Sequence, residues 1–240
     1  MPVPAHVIVA TAAALVLATG GPIAQLPAER RPQYEQAGRE LREWPAFDAL
    51  AEVDPEAYTE IGRMLKQAAA KPSAKAALQD KAWEYFAARF GGYVFRATDG
   101  AIIRYYQVTI RVLEEGNGQG GAVCQSLLER RVIESRTSEK TRDALFAATE
   151  NLINSARGRT IAMMGVMPDT ARVYLDNIIN RISETPRDKE ILDKNSVAPA
   201  DRVRRCQLEM SVVKEITRQP VGLSADLLRL LATRNLTLAR

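Results

Sequence analysis

TDGAIIRYYQVTIRVLEE, residues 98 to 115, is the stretch on which the reading of the fold turns. Ile103, Tyr106, Ile110 and Leu113 recur at +3, +7 and +10, the spacing of one helix face, with Arg104 and Arg111 on another. Thr98-Asp99-Gly100 starts this helix. Upstream, Asp54-Pro55-Glu56 combines an N-capping carboxylate, a proline at the first helical position and an acid near the positive end of the dipole. Tyr58, Ile61, Leu65 and Ala68 continue that helix at the same spacing. Lys71-Pro72-Ser73 ends it and caps the next, in which Leu78, Ala82, Phe86 and Phe90 form a stripe that Gly91-Gly92 is expected to stop.

Downstream the pattern repeats. Gly116–Gly121 reads as a glycine-rich hinge, followed by Cys124, Leu127 and Leu128 at helical spacing. Ser138 opens a helix through Leu145, Ala148, Leu152 and Ala156; Pro168-Asp169 opens another through Tyr174, Ile178 and Ile182. Glu184–Ser196 is a polar stretch. Pro199-Ala200-Asp201 begins a helix aligning Val203, Cys206, Met210 and Val213, and Ser224 is expected to cap the last, with Leu227, Leu228 and Leu231. No period-2 strand of useful length is present. The fold expected is all-α, an irregular bundle of about seven to nine helices after an N-terminal signal or anchor segment.

Composition sets the outer bounds. The 240 residues are 46% hydrophobic and 26% charged, with 33 Lys+Arg against 29 Asp+Glu, which is ordinary for a globular chain and argues against disorder. The only histidine is His6, in a segment expected to be removed or to lie in a membrane. A His-based triad, a His-ligated zinc or a His general base is therefore disfavoured. Val7–Ala18 is an uncharged apolar run ending at Thr19-Gly20-Gly21-Pro22, the length of a secretory h-region and short of the ~20 residues of a spanning helix. Small residues allow cleavage after Ala18 or Gly20, whereas Met1–His6 carries no Lys or Arg. Residues 1–24 are thus read as a signal peptide or membrane anchor, 25–53 as a polar lead-in or tether docked by Trp44, Phe47 and Leu50, and 54–240 as a single helical domain in the periplasm or cell envelope.

Cys124 and Cys206 belong to no CxxC pair. In an oxidising compartment two such cysteines most often form one structural disulfide, and closing a loop of about 80 residues stabilises by roughly 4–5 kcal/mol in the chain-entropy model. The alternative is a pair of buried reduced thiols, since free Cys packs as a small hydrophobe.

The remaining motifs are weighed against plainer readings. Gly116-x-Gly118-x-x-Gly121 matches a dinucleotide fingerprint in form, but it follows a helix and the acidic pair Glu114-Glu115, where the fingerprint needs a strand. No cofactor or metal is expected. Glu114 and Glu115 lie about 100° apart on a helix and cannot share one scissile bond. Met163, Met164 and Met167 offer an adaptable apolar surface, either core filling or a partner groove. Tyr93, Tyr105 and Tyr106 beside Trp83 are core or an aromatic ligand patch. Arg202, Arg204 and Arg205 are solvated basic positions balanced by Asp201 and Glu209, or an anionic-lipid contact if the chain is anchored. Nucleic acid is not an expected partner.

Two stretches carry a resemblance: FRATDGAIIRYYQVTIRVLEEGNGQGGAVCQSLLE (Phe95–Glu129) and CQLEMSVVKEITRQPVGLSADLLRLL (Cys206–Leu231). With their Arg-Ala-Thr-Asp helix start, Cys-x-x-Leu-Leu and second cysteine helix, they resemble an uncharacterised group of exported all-α envelope proteins of Gram-negative bacteria, some labelled topoisomerases. Together they cover about a quarter of the chain, and the glycine-rich turn stands where that group has charged residues. The resemblance implies an envelope protein with two cysteine-bearing helices and supplies no activity; a topoisomerase needs a nucleotide site and a nucleophilic tyrosine context, and the sequence has neither. The function expected is non-enzymatic binding of an envelope protein, in an immunity-type or scaffold role. The rivals are a carboxylate-dependent envelope hydrolase and a peripheral membrane protein associated through the N-terminal segment.

Overall fold

The computed structural model of the chain describes residues 47–117, 138–160, 168–193 and 198–237. Among the described residues there are nine α-helices and no strand, so the protein is an all-α bundle. The chain divides into two compact units, one ending at Phe86 and one beginning at Ala87, a boundary inside the single domain expected over 54–240. Among the described residues no helix is long and apolar enough to cross a membrane. The segment 1–24 lies outside them, as do Cys124 and the methionines Met163, Met164 and Met167.

In the first unit α1 (Phe47–Val53) packs on α2 (Pro55–Ala70). The last seven residues of the expected tether are therefore helix, and Phe47 and Leu50 do dock: both are buried, and the Phe47 ring lies 4.4 Å from that of Tyr58. Asp54 caps α2 as its sequence requires, its carboxylate accepting from the Ala57 N–H at 3.0 Å with Pro55 at the first helical position. Burial and the neighbouring Asp48 charge both push the Tyr58 hydroxyl above its ordinary pKa. A 3₁₀ turn at Pro72–Ala74 leads into α3 (Lys75–Arg96), whose Tyr85 hydroxyl donates to Glu56 of α2 at 3.3 Å.

In the second unit α4 (Asp99–Asn117) is the central helix, packed against α5 (Glu139–Ser155), α8 (Arg202–Thr217) and α9 (Val221–Thr237). Val108 and Val112 of α4 meet Leu145 and Ala148 of α5 in one cluster, and Leu113 meets Cys206 and Met210 of α8 in another. α8 and α9 also pack on α6 (Pro168–Ile182), and the short α7 (Pro186–Asp193) packs on α8. Enclosure by α4, α6 and α8 explains why α9 buries six consecutive residues, Ser224–Arg229, the polar Ser224, Asp226 and Arg229 among them: that stretch has no side left facing water.

Four local expectations need correction. Gly91-Gly92 does not stop α3, which continues to Arg96; the cost of about 1 kcal/mol per helical glycine is offset by burial of Tyr93 and Val94 just beyond. α4 continues through Gly116 to Asn117, so the helix takes in the first residues of the predicted hinge. Glu184–Ser196 contains a helix, α7. Ser224 caps nothing. α9 begins three residues earlier behind Pro220, whose carbonyl accepts from the Ser224 N–H at 2.8 Å, and the Ser224 hydroxyl is buried without a partner among the described residues. Elsewhere the starts stand as read: Thr98, Ser138 and Pro168 each open a helix, and the turn that follows α5 reaches Gly158, where φ is +63° and glycine alone carries no Cβ penalty.

Candidate functional site

The densest polar constellation of the described residues joins the end of α6, the start of α7 and the first turns of α8. Its seed is local. Thr185-Pro186-Arg187-Asp188 is a capping box with proline at the first helical position. The Thr185 hydroxyl accepts from the Asp188 N–H at 3.2 Å, while Asp188 Oδ2 accepts from the backbone N–H groups of Thr185 at 3.1 Å and Glu184 at 3.0 Å. Arg204 then approaches from α8, Nε donating to Asp188 Oδ1 and Nη2 to Oδ2, both at 2.8 Å, with a further contact to Glu184 Oε2 at 3.1 Å.

Asp188 is 3% exposed, so its charge needs this full set of donors. The Arg204 hydrogen bonds, helped by Thr185 and opposed by burial, hold its carboxyl well below the usual range; the same contact raises Arg204. The sign of the consequence follows. With the native pKa depressed, the contribution to stability is complete above the unfolded carboxyl range, about pH 4, and fades as pH falls through the native value. Asp188→Asn is therefore expected to lower the melting temperature at pH 7 and to flatten its decline below pH 4, whereas Asp143→Asn, at an exposed position of α5, leaves the melting temperature at pH 7 unchanged. Identical acid limbs for the wild type and Asp188→Asn would refute this assignment.

The neighbouring charges are paired in the same way. Arg187 reaches Glu190 and Asp201, each at 2.7 Å, and buried Arg205 meets Glu209 at 2.7 Å while donating to the Ile191 carbonyl. The basic positions read as an anionic-lipid contact are thus differently employed. Arg204 and Arg205 are committed to internal carboxylates, and Arg202 is half-buried with its Nε unpartnered among the described residues. Glu209 balances Arg205 as its i,i+4 spacing indicates, but Asp201 serves Arg187, a residue the sequence reading had not singled out.

Two further polar centres tie helices together. Arg229, 3% exposed on α9, bonds Asp226 at 3.1 Å, Asp99 at the start of α4 at 2.7 Å and the Ala97 carbonyl at 3.1 Å. Glu114 and Glu115 diverge as their 100° offset requires: Glu114 pairs with Lys214 of α8 at 2.7 Å, whereas Glu115 turns to α5. There it accepts from the Ser138 N–H and hydroxyl, each at 2.9 Å, and from the Thr141 hydroxyl, contacts that lower its pKa with Thr141 as the largest cause.

Compared with family models, curated proteins and solved structures, the chain matches none. Its own geometry therefore carries the functional argument.

Chemically, the buried carboxylates Asp188, Glu209 and Asp226 each face an arginine, the geometry of structural ion pairs. Among the described residues no group of three or more His, Cys, Asp or Glu side chains is placed to hold a metal ion. Of the aromatic set, Tyr93 is core at 1% exposure, and half-buried Tyr105 packs edge-on to Tyr106 at 5.3 Å and against Phe90 at 5.0 Å. Cys206 is wholly buried on the α4–α8 contact, its Sγ 3.6 Å from the Leu113 carbonyl oxygen.

One surface stands apart. α6 buries Ala171, Leu175 and Ile178 and turns Val173, 59% exposed, and Tyr174, 47% exposed, outward. Val173 lies almost opposite the buried stripe, so packing within the bundle does not account for it. The sequence reading had placed Tyr174 on the apolar stripe with Ile178 and Ile182. Its position one step from Leu175 moves it past the edge of that stripe.

Proposed function

We propose that this chain is a non-enzymatic, exported helical protein that binds a protein partner in the bacterial envelope, in an immunity-type or scaffold role. The outer face of α6 supports this reading. Val173 and Tyr174 lie six and seven residues beyond Met167, the last of three methionines read as core filling or a partner groove, and an exposed Val-Tyr pair joins apolar area to a hydrogen-bonding tip. The arginine-paired carboxylates favour binding over acid–base chemistry. A photo-crosslinking amino acid at Tyr174, in the native host, is expected to give one discrete adduct that Val173→Asp abolishes. The same probe at Ala147, exposed on α5, gives none. Equal adducts at the two positions would remove the α6 face from the argument.

The compartment is part of the same proposal. Cys206 is buried in the second turn of α8 beside Leu113 of α4, and we read it as the partner of Cys124 in a disulfide that would pin a mid-chain segment to a late helix. Intact mass spectrometry of the protein from its native host, with and without reduction and alkylation, is expected to show loss of about 18–24 N-terminal residues and no alkylation before reduction. Full-length protein with both thiols alkylated would end the exported, oxidised reading.

A further inference from the structure

We draw no further inference here: the strongest candidate, the outward-facing Val173–Tyr174 pair on α6, belongs to the surface already proposed for a partner, and nothing in the structure shows what covers it.

Discussion

Arg229→Met is expected to destabilise the second unit by about 3–5 kcal/mol, among the largest effects of any single substitution in the chain. The reason is what it leaves behind. Asp226 is 3% exposed and bonds Arg229 from one turn earlier on α9, so removing the guanidinium strands a buried carboxylate with its principal counter-charge gone. Asp99 loses the same partner but is 43% exposed on its side chain and recovers water. The Ala97 carbonyl loses its donor as well. The double variant Asp226→Leu/Arg229→Met removes both buried charges together, and most of the lost stability is expected to return. A remainder of about 1 kcal/mol reflects the Ala97 carbonyl. Arg229 Nε, buried with no partner among the described residues, adds to the case that this pair is costly to desolvate rather than a net source of stability. The readout is guanidinium unfolding followed by far-ultraviolet circular dichroism, because the second unit, from Ala87 onward, contains no tryptophan. If the double variant were as unstable as Arg229→Met, stranded charge would not be the cause, and lost packing of the long arginine stem would replace it.

How far such a network could be read in advance depends on whether its parts are near in sequence. Arg205–Glu209 and the Asp54 cap lie within four residues and follow from helix spacing alone. The Thr185–Asp188 box was equally local, and its Ser/Thr-x-x-acid pattern was present in a stretch judged merely polar. Mean polarity hides a short helix whose burial rests on two residues, Ile191 and Leu192, besides the capped aspartate. Arg204–Asp188 and Arg229–Asp99, separated by 16 and 130 residues, depend on how helices stack, which amphipathic stripes of similar width do not specify. The exposed face of α6 was missed for the converse reason. Tyr174 is apolar enough to be counted into a stripe, and only its angle relative to Ala171, Leu175 and Ile178 excludes it. Cys206 was placed correctly on a buried face because Met210 and Val213 repeat its angle.

The same distinction separates two adjacent isoleucines. Ile103 lies on the stripe with Tyr106, Ile110 and Leu113, yet it is Ile102 that is fully buried, and Ile103 is only half so. The polar positions explain this better than the apolar ones. Among the described residues of α4 between Ala101 and Asn117, Arg104, Gln107, Arg111 and Glu114 are the exposed ones, and they occupy a narrow arc of the helix. A helix with so little polar surface has room for more than one buried face, and α4 supplies one to α5 through Val108 and Val112 and another to α8 through Leu113. Ile102, near the start of the helix, is fully buried, and α4 packs against α9 as well. Ile102→Ala is accordingly expected to cost about 2–5 kcal/mol, and Ile103→Ala less than about half as much, in the same circular-dichroism experiment. The reverse order would restore the single-stripe view of α4.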